Sequence, residues 1–264
     1  MIAVLTDFGV TDNYNGVVVA TIKKLNPYAN VEFITPQSKN FNVIAAAYQL
    51  YTSFKYFPRK TIFTVVVDPG VGTSRKAIIV KTKNYYFVGP DNGVLSWAAN
   101  HDKIVEIRNF TNSNLYLSHS ISNTFHGRDI FAVASAFLSL GLSMEIFGEK
   151  LTKIEKIPFQ YSKEKNKHLG RVVFIDHFGN VATNIPFSVV NHISRVLIKD
   201  NEVKVKQVKS FGYAGRGELL VYENGYGFLE IGLREDSAAN VLNVKEGDEI
   251  CIEEYTQEDF SHFI

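Results

Sequence analysis

Asp68-Pro69-Gly70-Val71-Gly72-Thr73-Ser74-Arg75 packs an acid, a cation and a glycine-rich turn into one short stretch of this 264-residue chain. Pro69 and the two glycines fold the loop tightly and leave backbone N–H groups open, so it can hold an anion or an ordered water. Arg75 stands close enough in sequence to fold back onto Asp68. The same residues also suit a capped surface turn with a salt bridge. The loop therefore takes its meaning from its company.

Several constellations supply that company. Thr6-Asp7-Phe8-Gly9 puts a second carboxylate after an apolar run, where an acid can accept both hydroxyls of a ribose or cap a turn. Asp-Phe-Gly is also the magnesium motif of protein kinases, but no glycine-rich loop or paired lysine precedes it. Neither a Gly-x-Gly-x-x-Gly fingerprint nor a Walker loop is present, which argues against ordinary NAD or NTP binding. Phe125-His126-Gly127-Arg128-Asp129 sets a histidine at the start of an apolar helix. The positive end of that helix disfavours imidazolium and keeps a neutral base available. Arg128 and Asp129 read as first-turn surface charges. Asp176-His177-Phe178-Gly179-Asn180 offers acceptors and donors to a polar ligand, or forms a β-turn. Asn224-Gly225-Tyr226-Gly227-Phe228-Leu229-Glu230 allows close backbone approach to a ligand at its glycines, or forms a hairpin.

The elements that must position these residues alternate in the first part of the chain. Residues 2–6, 31–34 and 61–67 read as strands, and 14–25 and 42–57 as helices, the second ended by Pro58. Residues 77–80 and 85–88 suggest a hairpin, and 127–140 an apolar helix. This rhythm predicts an α/β fold with a mainly parallel sheet flanked by helices. Asp7 and Asp68 then sit at the carboxyl ends of strands, where open α/β sheets place ligands. Beyond Pro158 the pattern changes. Residues 161–168 are polar and read as a linker between an α/β domain (1–160) and a second domain (169–264). Short β-rich runs separated by Gly and Asn turns predict a small β-barrel or sandwich there.

Composition narrows the classes. A net charge of +1 makes no electrostatic case for nucleic acid or a membrane surface. Cys251 is the sole cysteine, so no intrachain disulfide and no cysteine metal cluster can form. The first residues lack a basic n-region, and no apolar run reaches membrane-spanning length, so we expect a cytoplasmic protein.

Taken together and in order, these motifs and Val88-Gly89-Pro90-Asp91-Asn92-Gly93 resemble the S-adenosylmethionine hydrolases (S-adenosylmethionine hydroxide adenosyltransferases) over essentially the whole chain. Fluorinases and chlorinases are related to that family. The resemblance implies an N-terminal α/β domain and a C-terminal β-barrel. It also implies a homotrimer with active sites shared between neighbouring subunits. By position, it implies Asp68, Arg75 and His126 as a catalytic triad and Asp7 as the ribose acid. Phe41 would stack on the substrate, Asp12 and Asp176 would hold the methionine ammonium, and Asn180 would contact adenine. The expected reaction is attack of water or hydroxide on the ribose C5′ of S-adenosylmethionine, giving adenosine and L-methionine. It calls for no cofactor and no metal. The halogenases carry an aromatic in place of Asp68, a small hydroxylic residue in place of Val71 and serine in place of Gly127. They also have an insertion where Val80 and Tyr85 are close here. A carboxylate at the attack position repels halide and can orient water. The alternatives are a halide transferase making 5′-chloroadenosine and an idle binder of S-adenosylmethionine or adenosine.

Overall fold

A computed structural model describes residues 1–118, 120–199 and 201–256. The chain divides into two compact units, Met1–Ile157 and Pro158–Ile264.

In the first unit, β1 (Ile2–Thr6), β2 (Val31–Thr35), β3 (Ile62–Val66), β4 (Ala77–Thr82), β5 (Tyr86–Pro90), β6 (Ile104–Asn109) and β7 (Lys150–Leu151) form one sheet. Its order is β2-β1-β3-β5-β4-β6-β7. Pairing is parallel across β2-β1-β3-β5 and antiparallel from β5 through β4 and β6 to β7. The expected parallel character thus belongs to one part of the sheet. The 77–90 hairpin and the strands beyond it reverse direction.

β1 and β3 are buried at every residue because both sheet faces are covered. Alternate residues divide between two cores. Ile2, Val4, Ile62 and Val66 pack with Val18 and Ile22 of α1 (Tyr14–Leu25) and with α4 (Ala132–Ser139). Ala3, Leu5, Phe63 and Val65 pack with Ala46 and Leu50 of α2 (Val43–Ser53) and with Ala98 and Ala99 of α3 (Ser96–His101). The chain leaves β1 toward β2 over one face and returns past it to β3 over the other. Right-handed crossovers require this change of face, and it makes the β1/β3 boundary a topological switch point.

Two expectations here are refined. The helix expected over 42–57 ends as an α-helix at Ser53 and tightens to a 3₁₀ turn at Phe54–Tyr56. The apolar helix from 127 opens with a π-turn at Gly127–Phe131, in which Ala132 N–H donates to the Gly127 carbonyl.

The second unit is a nine-stranded, strongly curled half-barrel sheet. Its order is β12 (Asn201–Val203), β11 (Ile193–Ile198), β16 (Glu249–Glu254), β9 (Lys167–Ile175), β10 (Val181–Pro186), β15 (Phe228–Leu233), β14 (Leu219–Glu223) and β13 (Lys206–Gln207). β8 (Ser162–Glu164) pairs with β9. Most of the expected linker is therefore a hairpin: Ser162 faces Leu169 and Glu164 faces Lys167 across a turn at Lys165, whose φ is 54°. Its polar residues lie on an exposed edge, where strand and linker compositions look alike. Val172, Ile185, Val221, Ile231 and Ile252 fill the core, and α5 (Ala238–Leu242) covers part of it. No helix among the described residues is long and apolar enough to cross a membrane.

Candidate active site

Register places two acids side by side. Thr6 pairs with Val66 across the parallel β1–β3 ladder, so Asp7 and Asp68 leave adjacent strands at the same end. After β3, Val71 N–H donates to the Asp68 carbonyl and Thr73 N–H to that of Gly70. These successive turns bring Arg75 back onto Asp68. Arg75 Nε donates to Asp68 Oδ1 at 2.9 Å and Oδ2 at 3.0 Å, and Nη2 also donates to Oδ2. Nη2 reaches His126 Nδ1 at 2.8 Å as well. The guanidinium lies over the Phe131 ring, 5.2 Å from its centroid. Side-chain exposure is only 5% for Asp68 and 10% for Arg75, so water does little to weaken this pair.

Guanidinium has no acceptor, so His126 Nδ1 must accept and the neutral ring carries its proton on Nε2. Burial lowers the His126 pKa below its usual value, Arg75 lowers it further, and Asp68 and Asp129 oppose them. Nε2 has no hydrogen-bond partner among the described residues. His126 lines a cavity of about 280 Å³ together with Asp7, Phe8, Tyr14, Phe41 and Asp68. Arg75 stands behind Asp68 and His126, outside that lining.

Asp7 accepts Phe41 N–H on Oδ2 at 2.8 Å. Burial raises its pKa, the backbone donors pull it down, and the charge of Asp68 adds to the rise. Phe41 is 74% exposed and sits at φ 60°, a costly conformation for a bulky residue. The Asp7 bond helps hold it there. Phe8, Tyr14 and Phe125 line the cavity as an aromatic trio with centroids 5.3–5.7 Å apart, Phe125 standing edge-on to the other two. Asp12 is exposed on the loop before α1 and does not line the cavity.

Two residues of this unit escaped the sequence reading. Asn15 donates to the Gly9 carbonyl at 2.7 Å and the Pro36 carbonyl at 3.1 Å, and accepts from Thr6 Oγ1 at 2.6 Å. It fixes the Asp7 loop, but a single asparagine at a helix start carries no sequence signal for that. Asp129, expected as a surface charge, is only 1% exposed.

The second unit has its own cavity of about 790 Å³, lined in part by Asp176, Asn180, Phe211, Tyr222, Asn224 and Glu230. Asp176 Oδ1 accepts Phe178 N–H at 2.9 Å and Asn180 N–H at 2.8 Å, and Oδ2 accepts Asn180 Nδ2 at 2.8 Å. The pair therefore shapes its own turn, and Gly179 is required there because a Cβ would overlap Ser237. Glu230, at the end of the Asn224–Glu230 motif, accepts Tyr222 Oη at 2.5 Å and Asn224 Nδ2 at 3.0 Å. Burial raises its pKa, those two donors counter the rise, and Asp176 adds to it. The nearby carboxylates of Asp176 and Glu230, with the rings of Phe211 and Tyr222, suit a cationic ligand with a flat apolar part.

These two cavities, one with a buried acid–guanidinium–imidazole array at a strand switch point, define a chain built to bind a polar small molecule. Residues 2–148 match the SAM hydroxide adenosyltransferase N-terminal domain and residues 170–251 the corresponding C-terminal domain. The chain belongs to the SAM hydroxide adenosyltransferase family. It is 35% identical to an (R)-S-adenosyl-L-methionine hydrolase of Methanocaldococcus jannaschii, covering 96% of this chain and 95% of the relative. A fluorinase of Actinopolyspora mzabensis is more distant, 24% identical over 94% of this chain and 95% of its own. A crystal structure of an uncharacterized conserved protein from Thermotoga maritima superimposes with a TM-score of 0.88 at 46% identity, covering 96% of this chain and 99% of that one.

Proposed function

We propose that this protein is an S-adenosyl-L-methionine hydrolase that forms adenosine and L-methionine. The observation that carries the reading is Arg75 joined to both Asp68 and His126 at the wall of the Asp7 cavity. Full-length relatives named as hydrolases of this substrate support it.

In this reading Asp7 accepts the ribose hydroxyls and Phe41 stacks on the substrate. The attacking water accepts a hydrogen bond from His126 Nε2–H and donates one to Asp68. His126 cannot act as the base while Arg75 occupies Nδ1, because the remaining nitrogen already carries its proton. The C5′–O bond forms as the C5′–S bond breaks, and the electron pair stays on sulfur as the neutral methionine thioether. The water becomes strongly acidic as its bond to carbon forms, and the Asp68 carboxylate takes the proton. Sulfonium and carboxylate charges vanish together, a change that a dry cavity favours. No leaving-group acid is needed, and no step calls for a cofactor or a metal.

Asp176 and Glu230 would receive the cationic amino-acid end, and Asn180 an adenine edge. We infer a homotrimer in which a neighbouring chain completes each site. Exposed Val10, Tyr14 and Phe41 in the first unit, and Phe178, Tyr213 and Tyr226 in the second, are the kind of apolar surface that assembly covers. Light scattering should show three chains and no active monomer.

Incubation with S-adenosylmethionine in ¹⁸O-labelled water tests the chemistry. Adenosine labelled at the 5′-oxygen is expected. A halonucleoside made in the presence of chloride would move the assignment to a halide transferase, and unchanged substrate would leave only a binder.

A further inference from the structure

We propose that Asp129 is a positioning residue for His126, a role that rests on the hydrolase reading above. Asp129 is nearly inaccessible, and three donors converge on its carboxylate. Ser122 N–H donates to Oδ2 at 2.7 Å, Arg128 Nε to Oδ1 at 2.6 Å and Arg128 Nη2 to Oδ2 at 3.0 Å. Its main-chain carbonyl accepts Leu117 N–H at 3.2 Å. Its own N–H donates to the Phe125 carbonyl at 3.2 Å.

The carboxylate thus staples Ser122 to the first turn of the following helix. Thr124, Phe125 and His126 lie between the two ends of the staple, and all three line the cavity. The π-turn over Gly127–Phe131 carries Asp129, and such turns are frequent at functional sites. Arg128, held by Asp129, covers the Phe125 ring at 5.2 Å from its centroid. Asn123, also inside the staple, abuts Gly72 of the Asp68–Arg75 loop, where a Cβ would overlap its carbonyl oxygen. Asp129 therefore sets where the His126 segment meets the loop that bears the other two members of the array. It touches none of the reacting atoms.

The test is Asp129→Asn in the full chain, read in two ways. Turnover should fall about 10- to 100-fold, the cost of a small misplacement of a reacting group, while KM stays within about twofold because the substrate grip is elsewhere. In the ligand-free protein, the imidazole ¹⁵N spectrum of His126 should lose the single Nε2–H tautomer and show exchange. A folded variant with wild-type kcat and an unchanged imidazole spectrum overturns the proposal. So does a lower melting temperature with kcat per folded molecule preserved. If Asp129→Asn does not fold, Ser122→Pro removes the stapled N–H along with the hydroxyl that meets Thr124, and should reproduce the kcat loss, whereas Ser122→Ala, which keeps the N–H, should not; wild-type turnover in Ser122→Pro, or an equal loss in Ser122→Ala, overturns the proposal. If the wild-type protein leaves S-adenosylmethionine intact, the hydrolase reading falls, and the imidazole spectrum alone decides the positioning role.

Discussion

Arg75 donates to His126 Nδ1 at 2.8 Å while gripping Asp68 with the same guanidinium. The cation is the centre of the array, and the imidazole is its acceptor. A protonated His126 would have to break that bond. Activity should therefore fall as pH drops through the depressed pKa of His126, with no compensating loss on the alkaline side from this residue. Stability should follow the same sign. The folded pKa lies below the unfolded value of about 6.5, so the unfolded chain binds more protons between the two. The contribution is full above about pH 6.5 and is lost as pH falls from there to the folded pKa. Paired melts of the wild type and His126→Gln across pH 4–8 check it, since only the wild type should show this slope.

Arg75→Lys tests the geometry of the central cation. Lysine keeps the charge but lacks the planar fork, so it cannot grip Asp68 through two nitrogens and also reach His126. We expect kcat to fall by about 10²–10⁴, the usual worth of a positioned acid–base group. Adenosine affinity, measured by calorimetry, should stay close to wild type. Near-normal kcat would show that charge alone suffices.

Asp7→Asn separates two duties of one carboxylate. The amide oxygen can still accept Phe41 N–H, but the charge that would hold the ribose hydroxyls is gone. Adenosine affinity should weaken by about 1.5–3 kcal/mol, as for a lost hydrogen bond to a charged group. Burial raises the pKa of Asp7, so removing its charge should leave the melting temperature equal or higher. Asp7→Ala should also free Phe41 from its φ of 60° and weaken binding further. Equal affinities for the two variants would separate Phe41 from Asp7.

Gly72→Ala probes the seam between the Asp68–Arg75 loop and the His126 segment. Gly72 has φ 76°, and a Cβ would overlap the Asn123 carbonyl oxygen. Backbone strain of this kind costs about 1–3 kcal/mol. Denaturant unfolding should show that loss, and kcat should fall with it because Asn123 lies in the His126 segment. An unchanged unfolding midpoint would mean the seam opens freely.

Local chemistry is what the sequence carried. The apolar runs of β1 and β3 read as strands because both faces are buried, so hydrophobic residues are continuous there. Each acid following such a run was thereby legible as a strand-end acid, and Asp7, Asp68, Phe41 and His126 do line one cavity. Asp12, named by resemblance alone, stands outside that lining. The expected linker gave way to a hairpin because an exposed edge tolerates the same polar residues as a loop.

Tertiary structure decided the relations between segments. The parallel register of Thr6 with Val66 sets Asp7 beside Asp68, although about sixty residues separate them in the chain. Folding also makes Arg75 a bridge, assigns the His126 tautomer through it, and buries Asp129 where the sequence suggested a surface charge. Residue type and spacing constrain what a segment can do, because they act through local backbone and side-chain preferences. Burial, proton placement and the approach of distant loops depend on what packs against the segment, and that exists only once the whole chain has folded.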